Sequence, residues 1–173
     1  IDPYQEMIKT SKDNLKKSGS TNLTFKLMGA DYLDFPKNTF DIVLNRHAVV
    51  VPKEIVKVLR PGGYFITQQV EKNNMKNLKQ AFGYTKNWKN DVKILSRAFK
   101  DNGCKIVAFG KYNVDYWVKD IDSLIFWLKA VNLPENFTIK KHGLELLKYM
   151  KKNTTAKGFI TNESREFLIV KKS

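Results

Sequence analysis

Asn45, Arg46 and His47 stand together immediately after an apolar run, Phe40-Asp-Ile-Val-Leu44. Parallel sheets bind ligands at the carboxyl ends of their strands, so a polar triplet there is the first place to look for chemistry. His47 can take a proton from an acceptor hydroxyl or amine, because an imidazole titrates near neutral pH. The commoner use of a loop histidine is to hydrogen-bond backbone. Arg46 can pair with an acidic substrate or with a neighbouring carboxylate. Asp2 sits directly before Pro3. A carboxylate directly before a proline suits a helix N-cap. Asp31, in the Gly29-Ala-Asp-Tyr32 loop, reads by itself as a turn aspartate capping its own loop. Asp41 lies inside the apolar run and reads as structural. No catalytic triad or pair of carboxylates is evident.

The elements that must position these groups follow from periodicity and punctuation. Residues 3–17 predict a helix with Met7, Ile8 and Leu15 on a partial apolar face, stopped by Ser18-Gly-Ser20. Leu23 to Met28 predicts a short strand, and Thr39 to Leu44 a second. Pro52 opens a helix reaching Leu59. Arg60-Pro-Gly-Gly63 predicts a turn into the strand Tyr64 to Val70. Continuous apolar strands joined by helices predict a parallel α/β sheet covered on both faces. Beyond it, residues 72–79 predict a loop and short helix, and residues 91–102 a helix with Val92, Leu95, Ala98 and Phe99 on one face. Cys104 to Tyr112 predicts a strand running on as an arm to Val118. Asp120 or Asp122 can cap a helix over 123–131, and another helix covers 142–152. Phe159-Ile160 and Arg165 to Lys171 predict a closing antiparallel hairpin. The segment 114–153 is expected to be a helical insertion forming a lid over the carboxyl edge of the sheet. Its aromatic residues Tyr116, Trp117, Phe126, Trp127 and Tyr149 could stack on a planar substrate. Packing of the lid is the favoured reading.

Composition excludes several classes. The chain has 173 residues, 42% hydrophobic and 12% aromatic, which is a folded domain rather than a disordered tail. No apolar run is long enough to span a bilayer, and the opening Ile-Asp-Pro-Tyr leads into an amphipathic helix rather than a secretory signal. The single cysteine, Cys104, excludes an internal disulfide and a cysteine-rich zinc site, and suggests a cytoplasmic protein. It reads as a small buried hydrophobe, and His142 as a helix-start residue without companions for a metal. The net charge of +14 could attract RNA or other polyanions. Only four of the basic residues are arginines (Arg46, Arg60, Arg97 and Arg165), and the lysines are scattered. That distribution favours a generic charge over a nucleic-acid interface.

Taken in order, these motifs resemble the class I S-adenosylmethionine (SAM)-dependent methyltransferases of the small type 11 kind. Asp2-Pro-Tyr-Gln-Glu-Met7-Ile resembles the acidic end of the family's second strand and the helix after it. Gly29-Ala-Asp31 with Leu33-Asp-Phe-Pro36 resembles its "G-D-A…L-P-F" loop. Asn38-Thr-Phe-Asp-Ile-Val43 resembles its "S-F-D-x-V" fourth strand, and Leu59-Arg-Pro-Gly-Gly63 its "L-K-P-G-G" turn. Phe65 to Val70, Asn45-Arg-His47, Phe126-Trp-Leu-Lys-Ala130 and Phe167 to Lys172 are similar to an uncharacterised bacterial subgroup. Each motif is weak alone; the ordered set covers essentially the whole chain.

The resemblance implies a Rossmann-like α/β sheet ending in an antiparallel hairpin, with SAM as the cofactor. It implies that Asp2 holds the ribose, that Pro3 and Met7 flank the adenine, and that Asp31 accepts from the adenine amino group with Ala30 and Tyr32 beside it. Asn45 would meet the methionine part of the cofactor. Arg46, His47 and Trp127 would face the acceptor, with His47 as the candidate catalytic base. The family's G-x-G-x-G loop should precede the acid by roughly 20 residues. The chain starts at the acid, so it is expected to lack the first strand, the glycine loop and the first helix, and to bind SAM poorly by itself. A central strand missing from a sheet exposes edges and an apolar face.

The function expected is methyl transfer from SAM to a small molecule or RNA, without a membrane partner. The alternative is a non-catalytic basic module of the same fold that binds RNA or a protein. A nicotinamide-dependent oxidoreductase fits less well, given the Pro-Gly-Gly turn and the terminal strand.

Overall fold

The computed structural model describes residues 1–84 and 91–173. They form two compact units. The first comprises Ile1–Gln69, the described residues from Asp91 to Phe109, and Phe167–Ser173. The second runs from Val70 to Tyr84 and over Gly110–Glu166. The insertion expected over 114–153 falls inside the second unit, which is larger than that segment.

The first unit begins with α1 (Gln5–Ser18), which buries only Ile8. The stretch expected as a strand, Leu23 to Met28, is not one. It makes a single parallel bridge between Asp2 and Leu27, and Leu23 and Leu27 are exposed. Alternating side chains make a strand only where another strand completes the ladder, and residues 21–26 have no such neighbour among the described residues. Strand β1 (Phe40–Arg46), α2 (Pro52–Val58) and β2 (Leu59–Val70) follow as expected, with β1 and β2 parallel.

Arg60-Pro-Gly-Gly63 is not a turn that precedes the strand. It is an outward loop within β2: Phe40 pairs with Leu59 and Ile42 with Tyr64, so five steps along β2 answer two along β1. Gly62 has φ of 80°, and a Cβ on Gly63 would press on the carbonyl oxygens of Phe40, Asp41 and Arg60. Gly62 is therefore required by its positive φ and Gly63 by backbone approach. Arg60 donates from one guanidinium nitrogen to both Asp41 oxygens, at 2.9 and 3.1 Å, across this bulge.

Helices α3 (Lys76–Ala81) and α4 (Val92–Asp101) come next, then β3 (Cys104–Val118), α5 (Ile121–Ala130), α6 (Ile139–Asn153), the two-residue β4 (Thr154–Thr155) and β5 (Gly158–Lys172). Asp91 and Asp120 cap α4 and α5 through their carboxylates. The sheet order is β1-β2-β5-β3, with β4 on the start of β5. The closing hairpin expected within 159–171 is one continuous strand, β5. Its antiparallel partner is β3: Ser173 donates to Gly103 at 3.3 Å, Ser164 to Tyr112 at 3.3 Å, and Gly158 lies against Val118. The connection between the two strands carries α5 and α6, so no local turn signal marks it.

Each unit has its own core. In the first, Ile55, Val58, Leu59, Phe65, Leu95, Phe99, Leu168 and Val170 form one cluster, with the Phe65 and Phe99 rings 5.0 Å apart. Cys104 belongs to it, and burial pushes its thiol above the ordinary value. In the second, Met75, Leu78, Leu124, Leu128, Leu146 and Tyr149 pack together. The Tyr149 hydroxyl donates to the Ile160 carbonyl at 2.9 Å, and burial pushes its phenol up to about 12.

The expectation of a sheet covered on both faces fails at β1. Val43 packs into the core, whereas Ile42 and Leu44, on the opposite face of the strand, are 55% and 73% exposed. Strand β1 is also a sheet edge among the described residues.

Candidate functional site

The carboxyl end of β1 is built as a polar knot. Asn45 is half-buried in register with Thr67 of β2. Its Oδ1 accepts from Thr67 Oγ1 at 3.0 Å and from Gln69 Nε2 at 2.8 Å, while its Nδ2 donates to the Val49 carbonyl at 3.0 Å. Gln69 also donates to the Ala48 carbonyl at 3.2 Å. Phe65, Thr67 and Gln69 alternate inward on β2, each 2% exposed or less, so the knot continues the core face of the strand. The Asn45 side chain, expected as a possible cofactor contact, is thus spent on holding the loop 45–49.

Arg46 and His47 lie exposed on that loop. Arg46 donates to the Gln68 side chain at 3.2 Å, a neutral amide rather than the neighbouring carboxylate that the sequence suggested. The His47 amide donates to the Gln68 carbonyl at 3.0 Å, and its φ of 54° turns the chain sharply after the strand.

A second group forms where Asp2 meets the segment before the Gly29 loop. Asp2 donates to the Lys26 carbonyl at 3.2 Å, and Met28 donates back to the Asp2 carbonyl at 3.0 Å. This bridge sets Asp2 beside the first residues of the loop that carries Ala30, Asp31 and Tyr32. One Asp2 oxygen accepts from the Tyr4 amide at 2.9 Å, a turn ahead of α1; the helix N-cap is Tyr4, without a side-chain cap bond, so the capping role expected of Asp2 is not taken up. The other oxygen has no protein partner among the described residues, which leaves one acceptor for a diol. At Gly29 a Cβ would collide with the Asp31 carboxylate, which folds back over the glycine. Pro3 and Met7 are exposed, and Met7, at 52%, is not a core residue. Tyr32 is 65% exposed, with the Lys57 ammonium 4.9 Å above its ring.

Two residues that hold the loops of these groups escaped the sequence reading. Glu54 on α2 accepts from the Leu33 amide at 2.8 Å and pairs with Lys57. The Lys57 ammonium, then the Leu33 amide, hold the Glu54 carboxyl below the usual carboxylate range. Gln69 is the other. Its inward parity with Phe65 was legible; its partners were not. Nothing local marks Glu54, whose partner Leu33 lies a helix and a strand away in the chain.

Between the two groups, in the first unit, lies an open apolar groove of about 340 Å³. Ile1, Thr24 and Lys26 line one side and Phe40, Ile42 and Leu44 of β1 the other.

Trp127 lies in the second unit, tilted 34° against Tyr116 with ring centres 5.2 Å apart. His142 accepts from the Thr138 amide at 3.3 Å through Nδ1 and stacks on Phe137. Among the described residues no three His, Cys, Asp or Glu side chains converge as a metal site, and no helix is long and apolar enough to cross a membrane.

A parallel β-α-β unit with polar groups at its strand ends, followed by an antiparallel terminal strand inserted in the sheet, defines a Rossmann-like methyltransferase fold. A family model described as a methyltransferase domain matches residues 1–118, and the chain belongs to that family. An uncharacterized methyltransferase of Schizosaccharomyces pombe is 31% identical over 112 residues, a match covering 57% of this chain and 38% of that protein. A demethylmenaquinone methyltransferase of Lactococcus lactis is 29% identical over 106 residues, covering 57% of this chain and 41% of that one. The matches thus span about two fifths of the length of these curated relatives. The crystal structure of the YcgJ protein of Bacillus subtilis superposes with a TM-score of 0.61 at 17% identity, covering 98% of this chain and 79% of that one. At that identity the likeness is one of fold.

Proposed function

We propose that this chain belongs to a SAM-dependent methyltransferase that acts on a small molecule or RNA. The observation that carries the reading is the bridge between Asp2 and Leu27, which sets a half-free carboxylate beside the Ala30-Asp31-Tyr32 loop. Two carboxylate acceptors are what the hydroxyls of a ribose and the amino group of an adenine call for. Asp2 would take a ribose hydroxyl on its open oxygen, Asp31 the adenine amino group, and Ala30, Tyr32, Pro3 and Met7 the ring's faces.

Bound SAM supplies an already activated methyl group on a sulfonium, so the protein's tasks are orientation and exclusion of water. The knot of Asn45, Thr67 and Gln69 fixes the strand end on which Arg46 and His47 stand. His47 would hold the proton lost by an acceptor hydroxyl or amine, and Arg46 would orient an acidic group on the acceptor. We further propose that the groove beside Ile42 and Leu44 seats a strand bearing the phosphate-side glycine loop, which would cover both side chains and complete the cofactor site.

Calorimetric titration of the full-length protein with SAM and with its demethylated product tests this reading. Both are expected to bind. Absence of heat with either would overturn the methyltransferase reading in favour of a non-catalytic module.

A further inference from the structure

We propose that the second unit holds a separate binding cleft for a small, neutral, planar aromatic molecule. The cleft, of about 580 Å³, is lined by Tyr116, Trp117, Lys119, Asp122, Phe126 and Trp127. Its volume lies in the range typical of small-molecule pockets. Five of the six come from the end of β3 and from α5, and Lys119 from the link between them, so the cleft belongs to one unit.

Three observations point to a flat ring. First, the aromatic residues are not used up in the core. Phe126 is 74% exposed, Tyr116 40% and Trp117 38%, while Leu124 and Leu128 on the same helix are fully buried. Trp127 shares the face of Leu124 and Leu128 and packs in part on their core, while Phe126 is left to the cleft. Second, two of the rings already pack together, Tyr116 tilted 34° against Trp127 with centres 5.2 Å apart. A third ring would extend that arrangement, and Phe126 offers a further wall. Third, the polar rim is one cation and one anion, Lys119 and Asp122. It offers a donor and an acceptor to ring substituents and favours no net charge. The Asp122 carboxylate also disfavours a phosphate backbone, which separates a small molecule from a stacked nucleobase. Lys157 stands 4.9 Å over the Trp117 ring, so one aromatic face is occupied within the chain and the open faces belong to the other rings. The inference is independent of methyl transfer.

The test is calorimetry of the chain with 2-naphthol, without SAM. Binding is expected, weakened about three- to ten-fold in Phe126→Ala and in Tyr116→Ala, the usual scale for losing one ring contact. The exposure of Phe126 makes its truncation compatible with folding, which circular dichroism checks. Decahydro-2-naphthol, of similar size without a flat ring, is expected to bind markedly more weakly than 2-naphthol. Equal binding of the two alcohols, unchanged affinity in both variants, or displacement of 2-naphthol by a short oligouridylate would each overturn the proposal.

Discussion

Gln69 donates to the Oδ1 of Asn45 at 2.8 Å, joining residues 24 positions apart at the ends of two adjacent parallel strands. The same Asn45 oxygen accepts from Thr67, and Gln69 reaches on to Ala48. This fully bonded knot, rather than a charge, gives the Asn45-Arg46-His47 segment its shape. Gln69→Leu leaves the Asn45 and Ala48 oxygens short of a donor. A loss of about 1–3 kcal/mol is expected in urea unfolding. Asn45→Ala costs a similar amount, and the double variant costs less than the sum, because the two share one network. Additive losses would show that the residues act separately.

Asp2 divides its carboxylate between the Tyr4 amide and an open side. Asp2→Asn keeps an oxygen for the turn at Tyr4 and removes the charge. In the full-length protein SAM affinity is expected to fall by about 1–3 kcal/mol, the scale of a lost charged hydrogen bond, with helix content unchanged. Calorimetry and circular dichroism read the two effects; unchanged affinity would leave Asp2 as a turn residue alone.

Glu54 tethers the loop that follows Asp31 and Tyr32. Its carboxyl is held below the ordinary range by Lys57 and Leu33. The sign follows from linkage: the contribution to stability is present above the unfolded carboxyl's pKa and is lost as pH falls through the lower, folded value. Glu54→Gln should abolish that acid-side loss and weaken SAM binding without a shift in the Asp2 effect. Acid titrations followed by loop hydrogen exchange test it.

His47 has a φ of 54°, which asparagine tolerates and alanine does not. His47→Asn therefore removes the imidazole while sparing the backbone. If His47 holds the acceptor's proton, kcat falls by ~100-fold or more and the acid limb of its pH profile disappears. An unchanged profile would reduce His47 to a turn residue.

Tyr149 is buried in the second unit with its phenol pushed up to about 12. The unfolded phenol ionises near 10, so the native state is relatively favoured below about 10 and loses that advantage as pH rises from there toward about 12. Shifts of this size correspond to roughly 2–3 kcal/mol. Denaturation followed from neutral to strongly alkaline pH should show a steep alkaline loss that Tyr149→Phe blunts.

The sequence by itself was enough for the local elements and for the family. Pro52 opening α2, the inward spacing of Leu95 and Phe99, and the ordered motifs from Asp2 to Lys172 are all read along the chain, because helix signals and turn chemistry act over a few residues. Tertiary structure decided what depends on partners distant in sequence. Leu23 to Met28 carries a strand pattern but lacks a ladder. Residues 159–171 look like a hairpin and are one strand, because their partner is β3. Arg60 to Gly63 reads as a turn and is absorbed as a bulge against Asp41. Asn45 offers an amide that the sequence assigns to a ligand; Thr67 and Gln69 claim it first. Hydrogen-bond pairing across a sheet leaves no mark on the residues between the partners, and so only the folded chain shows which polar groups are already bonded and which remain for a ligand.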